Sequence, residues 1–343
     1  MPIFADSPSP TPPTPATAPT LPNDLTKPIS SITPDSLMAI VSALPAQRNG
    51  WGSVEGRKGL DAARKLLLDK VKALGFSPRL EPVKWSRRQA PAPSPPNRDN
   101  RTDPADTPDH TFDPYANIIF EIPGTTKPLE VILLAAHFDA YPEAPGADDN
   151  ASGVAGLIEI ARALKDAKPH RTIRFALFDL EEAGLVGAQQ HAQRWREAQD
   201  DIDDKAKRER IVLMLSLEML GYYDPSPTAQ KNPFNGIPGL PKGDQIPGDF
   251  IALATVARHS FITRALDAAM RQSEPELKTV VVDQFPVAPP DLLRSDHVPF
   301  LMMGIPSIMV TDTANFRNPN YHKPTDTPDT LNPPLFARTV RAL

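Results

Sequence analysis

The chain has 343 residues, 40% hydrophobic and 23% charged, with 42 prolines, no cysteine and a formal net charge of -5. The lack of cysteine excludes disulfides and thiolate metal sites, leaving His, Asp and Glu as the strong metal ligands available. The acidic balance offers no basic face for a nucleic acid, and no apolar run approaches the ~18 residues of a membrane helix, so neither partner is expected.

Residues 1–25 form the start of the chain, and from Met1 to Pro22 they are mostly Pro, Thr, Ser and Ala. Such a segment buries too little apolar surface to offset the entropy of ordering and is read as a disordered tail. The start carries neither a basic nor an apolar targeting region, so a cytoplasmic location is expected as written; a secreted or periplasmic one would require that the start has been processed. Residues 26–343 are read as one domain. Thr33-Pro34-Asp35 signals a helix start, with Thr33 as cap and a helix to about Leu44. A second helix spans about Glu55–Leu74, with Leu60, Ala63, Leu66, Leu67, Val71 and Leu74 on one face and Gly75 as its stop. Residues 86–114 are charged, Pro-rich and without periodicity, and are read as a mobile insert loop.

Short apolar runs then recur at Asn117–Glu121, Val131–Ala136, Thr172–Phe178 and Ile211–Leu217, with helical stretches at about Ala151–Leu164 and Gly184–Trp195. After a Pro/Gly-rich stretch come a strand at Phe250–Ala254, a helix around Ser260–Met270, strands at Thr279–Val282 and Ser307–Thr311, and a last helix at Leu335–Leu343. Strands rich in Ile, Val, Leu and Phe alternating with helices predict a single α/β domain, its central sheet mostly parallel and covered by helices on both faces.

The chemistry-bearing residues fall where these strands end. Val131–Ala136 runs into His137-Phe138-Asp139, a His with a carboxylate two residues on. Ligands gather at the carboxyl ends of parallel strands, and such a carboxylate can fix the tautomer of a metal-binding imidazole. Gly146-Ala147-Asp148-Asp149-Asn150-Ala151-Ser152-Gly153 opens the next helix with two acids where one would suffice as a cap. Thr172–Phe178 ends in Asp179-Leu180-Glu181-Glu182; if one Glu holds a metal, its neighbour reaches a water on that metal as general base. Ile211–Leu217, six of its seven residues apolar, ends in Glu218, a carboxylate that burial requires to be paired or metal-bound. Tyr321-His322 lies in a polar loop between the last strand and the last helix.

With these residues in hand, the sequence resembles the co-catalytic zinc aminopeptidases, family 28 of the metallopeptidases, which also includes glutaminyl-cyclase-like members. The matching segments are His137-Phe138-Asp139, the Gly146–Gly153 octet, Glu181-Glu182-Ala183-Gly184, Glu218-Met219-Leu220-Gly221, Ser295-Asp296-His297-Val298-Pro299-Phe300 and Tyr321-His322. The similarity covers about residues 115–335, and the octet is its most specific part. The resemblance implies a zinc-exopeptidase, phosphorylase/hydrolase-like fold and two Zn2+ per chain. It implies that Asp148 bridges the ions, that His137 and Glu218 complete one ligand set, and that Glu182 and His322 complete the other. Glu181 would be the general base, Asp139 the partner of His137, and Asp149 a structural neighbour of Asp148. Ser295, Asp296 and His297 would line the site. Better-known members place Asp where this chain has Glu218, one methylene longer.

The activity this implies is hydrolysis of the peptide bond next to a free amino terminus by water activated between two zincs ~3.5–4 Å apart, with a phenol from Tyr222 or Tyr223 supporting the oxyanion. The expected partner is a peptide with a free amino terminus; the oligomeric state is not read from the sequence. Two alternatives are a glutaminyl-cyclase-like transferase using a single zinc and a catalytically inactive relative kept as a binding module. The remaining histidines, His110, His170, His191 and His259, are read as surface or core residues.

Overall fold

The computed structural model describes residues 23–85, 114–232 and 245–343. The tail read at 1–25 and the insert read at 86–114 lie almost wholly outside the described residues. No helix of the described residues is long and apolar enough to cross a membrane.

The elements in chain order are α1 (Asn23–Ser30), α2 (Pro34–Ala43), α3 (Val54–Ala73), β1 (Arg79–Pro82), β2 (Ala116–Ile122), β3 (Lys127–His137), α4 (Gly153–Leu164), β4 (Arg171–Phe178), α5 (Val186–Asp200), β5 (Arg210–Glu218), the short pair β6 (Gln230–Lys231) and β7 (Gln245–Ile246), β8 (Phe250–Ala254), α6 (Ser260–Ser273), β9 (Lys278–Val282), α7 (Val298–Met302), β10 (Ser307–Thr311) and α8 (Pro333–Ala342). Eight strands form one sheet in the order β1-β2-β4-β3-β5-β10-β8-β9. Its centre, β4-β3-β5-β10, is parallel, and β8 runs parallel to β9. The pairs β1-β2, β2-β4 and β10-β8 are antiparallel. This is the single, mostly parallel α/β domain that the alternation of strands and helices predicts.

Local chemistry sets the helix ends. Thr33 and Ser36 form a reciprocal capping box at α2, with Pro34 in the first turn. Ser53 caps α3 by accepting from the Gly56 N–H at 2.9 Å. Leu60, Ala63, Leu67 and Val71 of α3 are all fully buried on one face, the spacing a core-facing helix needs. Truncating Leu60 or Leu67 to Ala would cost about 2–5 kcal/mol. Side chains on the strands alternate between two cores. Phe120, Leu134, Phe175, Leu177, Leu217 and Val310 face the larger one, shared with α2, α3, α4 and α8. Ile119, Leu133, Ala135, Ala176 and Met214 face a second one under α5 and α7, where Ala188, Ala192 and Phe300 pack.

Several features depart from the sequence reading, among them the short pair β6 and β7 in the Pro/Gly-rich stretch. The strand β1 and helices α1 and α7 have no periodic apolar signal, being four, eight and five residues long. The helix expected from Ala151 begins at Gly153, because residues 147–152 form an irregular loop with non-helical Asp149 and Asn150. That loop is stapled to the end of β5. The Asn150 side chain donates to the Leu217 carbonyl at 2.8 Å and accepts from the N–H groups of Gly153 and Met219. A Cβ at Gly153 would lie 2.3 Å from the Leu217 carbonyl oxygen, so only glycine lets α4 start this close to the strand.

Candidate metal centre and active site

The carboxyl ends of β3, β4 and β5 lie side by side and deliver His137, the Glu181-Glu182 pair and Glu218 to one edge of the sheet. Just past β4 and β5 the chain bends through Leu180 and Met219, both buried, at φ 59° and 55° respectively. His322 itself sits at φ 57°. Left-handed non-glycine residues are costly, and three of them converge here, the pattern expected where surrounding contacts hold a working geometry.

Two sets of ligand atoms result, His137 with Glu181 and Glu218, and Asp149 with Glu182 and His322, each set within 4.8 Å. His137 Nε2 lies 3.4 Å from Asp149 Oδ1 and 3.4 Å from Glu218 Oε1. His322 Nε2 lies 3.2 Å from Asp149 Oδ2 and 3.2 Å from Glu182 Oε2. The two oxygens of Asp149 therefore face two different imidazoles. Ligands ~2.0–2.1 Å from one tetrahedral zinc stand about 3.3 Å apart, so these spacings fit a metal on each side of Asp149. On its other side, His137 Nδ1 is 3.2 Å from the Asp139 carbonyl oxygen and 3.4 Å from its carboxylate, which leaves Nε2 facing the acids.

The structure places the other acid of the octet, Asp149, between the two imidazoles. Asp148, expected to bridge, is turned away: its Oδ1 accepts from the Gly221 N–H at 2.9 Å and the Ser152 hydroxyl at 3.2 Å, and its Oδ2 from the Asn318 amide at 2.7 Å. Asp149 takes the place between the histidines. Two adjacent acids are indistinguishable by pattern, and the non-helical backbone at Asp149 and Asn150 decides which one faces the cleft.

Behind the ligands, two further carboxylates each grip a pair of backbone N–H groups. Asp326 accepts from Asp148 and Asp149 at 3.0 and 3.1 Å. Asp139 accepts from Glu181 and Glu182 at 3.0 and 3.1 Å. Arg48, 1% exposed, donates to the carbonyls of Phe138, Pro45, Pro145 and Gly146 and so ties together the loops that carry Asp139 and Asp149. Burial weakens the proton's hold on its guanidinium, while Asp326 and Asp139 strengthen it.

The site is crowded with negative charge. Burial raises the Glu181 carboxyl well above the ordinary range; the positive charge of His137 opposes this, and Glu218 and Glu182 add to it. Glu182 is pushed up to about 7 by burial and by the Asp149 charge. Burial opposes a charge on His322, yet Glu182 and Asp149 raise it to about 10. His137 is raised well above its usual value against burial, by Glu181 and Glu218. Buried carboxylates and imidazoles that hold one another's protons this tightly are the donor set a bound cation would stabilise.

Neighbouring residues complete the picture. Ser295 donates to Glu218 Oε2 at 2.7 Å and bonds Ser216 behind it, giving the first residue of the Ser295-Asp296-His297 segment a definite contact with the site. The His322 ring stacks on Tyr141 and on Tyr321, with centroids 4.1 and 3.8 Å apart. Both phenols therefore lie beside His322, and the Tyr321 hydroxyl accepts from Arg294. Tyr223 is buried with its hydroxyl bonded to Thr339. Of the other histidines, His191 is buried against Glu81, His170 meets Thr126, His259 is buried beside Arg258, and His110 lies outside the described residues. Arg48, Asp326 and Tyr141 have no local sequence signal, because each reaches the site only through the fold; Tyr321 was marked only as the neighbour of His322.

An α/β sheet whose strand ends converge on two His-and-carboxylate sets has the donor arrangement of a metal-dependent enzyme. The peptidase family M28 model matches residues 117–343, and the chain belongs to that family. It is 36% identical over 244 residues to the uncharacterized protein YfbL of Escherichia coli, covering 67% of this chain and 69% of that protein. It is also 36% identical over 99 residues to the aminopeptidase YwaD of Bacillus subtilis, covering 29% of this chain and 20% of that one. Among solved structures, the glutaminyl cyclase of Macrostomum lignano superimposes with a TM-score of 0.62 at 17% identity, covering 96% of this chain and 94% of that one. The last likeness is one of fold alone.

Proposed function

We propose that this chain is a zinc-dependent aminopeptidase that hydrolyses the peptide bond following a free amino-terminal residue. The observation that carries the reading is the Asp149 carboxylate, with one oxygen toward His137 and the other toward His322. That arrangement suits two adjacent zinc ions, one held by His137, Glu218 and Asp149 and the other by Glu182, His322 and Asp149. Zinc held by these residues would supply Lewis acidity for the scissile carbonyl and would lower the pKa of water to ~7.

The chain's own residues do the rest. Glu181 takes a proton from the attacking water and passes it to the leaving amine, its backbone fixed on Asp139 and its proton affinity raised first by burial. Asp139 orients His137 through Nδ1. Family membership supports hydrolysis of a peptide bond, and the relationship to the aminopeptidase YwaD supports action at the amino end. A cyclase would use the substrate's own amine as nucleophile and would have little use for a second cation site. Zinc-loaded protein is expected to release nitroaniline from unblocked aminoacyl-nitroanilides and none from their amino-acetylated forms. Equal turnover of both would overturn the requirement for a free amine, and cleavage of neither would overturn the peptidase reading.

A further inference from the structure

The loop at residues 48–53 precedes the segment 117–343 that matches the family, yet it packs against two parts of the candidate site. The Arg48 carbonyl accepts from the Ala140 N–H at 2.8 Å, next to Tyr141. Gly50 is pressed against the bend that leads into Glu181, and a Cβ there would lie 2.4 Å from the Leu180 side chain. Gly52 is pressed against the residue after Tyr141, and a Cβ there would lie 2.8 Å from the Pro142 ring. Trp51, between the two glycines, is therefore placed between the loop carrying Glu181 and Glu182 and the tyrosine stacked on His322.

The sheet brings more aromatic surface to the same edge. β2 runs antiparallel to β4, and β1 antiparallel to β2. Tyr115, just before β2, and Trp85, just after β1, therefore come to the edge where β4 releases Glu181. The order β1-β2-β4-β3-β5 puts them on the far side of Glu181 and Glu182 from Glu218. The Trp51 and Trp85 rings are 6.1 Å apart and tilted by 54°, and Trp85 meets Tyr115 edge-on at 5.8 Å. The Tyr115 hydroxyl donates to the Gly50 carbonyl at 2.9 Å, which ties the loop to β2. Trp51, Trp85 and Pro142 are each half-buried, so packed rings keep part of their surface open to solvent. Rings fixed in this way stack readily on a further aromatic group. With strands ~4.8 Å apart, β1 lies about 10 Å from β4, the span of about three extended residues.

Given the aminopeptidase reading, we propose that Trp51, backed by Trp85, receives the side chain of the residue immediately after the scissile bond and favours an aromatic one there. Leucyl-phenylalaninamide carries such a side chain and leucyl-glycinamide does not, while the bond cleaved is the same. The ratio of their kcat/KM values should fall about 3–10-fold in Trp51→Ala and stay near that of the wild type in Trp51→Phe. A merely structural role would slow both substrates equally, so an unchanged ratio in folded Trp51→Ala would overturn the proposal. If zinc-loaded enzyme cleaves neither amide, it is the aminopeptidase reading that fails. In that case, and where Trp51→Ala does not fold, tryptophan fluorescence of Glu181→Gln protein tests the shelf itself, since two of the chain's three tryptophans form it. Titration with leucyl-phenylalaninamide should change the emission, with most of the change lost when Trp51→Phe is added. An emission unmoved by the peptide, or moved equally in both proteins, overturns the shelf.

Discussion

The carboxylate of Asp326 accepts the backbone N–H of Asp149 at 3.1 Å from 177 residues further along the chain. Its second oxygen accepts from Asp148 at 3.0 Å, so the acidic pair is held by its backbone before any side chain finds a partner. Asp326→Asn replaces one acceptor with a donor and leaves one of these N–H groups facing another N–H. Supporting groups of this kind typically contribute 10–100-fold to metal affinity. Zinc affinity, measured by competition with a coloured chelator, should fall by about that factor while the melting temperature changes little.

Asp148 and Asp149 should separate cleanly. Asp149→Asn removes the carboxylate shared by His137 and His322 and should lose most zinc from both positions. Asp148→Asn disturbs hydrogen bonds to Gly221 and Asn318 instead. It should keep its zinc but lose about 1–3 kcal/mol of stability. Metal analysis and thermal unfolding of the two variants check this; loss of zinc only in Asp148→Asn would reverse the assignment.

What the sequence made legible follows the range of the forces involved. The apolar runs that become β3, β4 and β5 each end in an acid or His, and period and punctuation alone located His137, Glu181, Glu182 and Glu218. Cap chemistry located α2, down to Thr33 and Pro34. Strand direction was not legible: nothing in Ala116–Ile122 or Phe250–Ala254 tells that β2 and β8 run antiparallel to a neighbour. Nor was the choice between Asp148 and Asp149, which rests on a backbone bent by Asn150 and Asp326. Arg48 and Asp326 act across long stretches of chain, and no local pattern marks an isolated Arg or Asp as a clamp.

General base and ligand should also part. Glu181→Gln removes a proton acceptor and should keep near-normal zinc while activity falls at least ~100-fold. Glu182→Gln weakens the set that includes His322 and should lower zinc occupancy. Parallel metal analysis and turnover decide; equal zinc content in the two variants would contradict the division of roles.

Away from the site, Glu81 gives a pH-dependent contribution to stability. Burial would raise its carboxyl, but the hydrogen bond and charge of His191, followed by Arg79, lower it to about 2 from 4.5. A carboxylate depressed in the folded state stabilises above its unfolded pKa and loses that contribution as pH falls through the folded one. Glu81→Gln should therefore lower the melting temperature at pH 7, with the gap to wild type narrowing from about pH 4.5 toward pH 2. A gap independent of pH would show that packing, not charge, is what Glu81 contributes.

The claim that this chain works at free amino termini by hydrolysis is tested most directly by mass spectrometry of two tripeptides, Leu-Gln-Ala and Gln-Leu-Ala, incubated with zinc-loaded protein. Hydrolysis predicts free leucine and the dipeptide Gln-Ala from the first. Intact Leu-Gln-Ala, together with loss of one ammonia from Gln-Leu-Ala and no peptide-bond cleavage, would contradict the account and mark the chain as a cyclase.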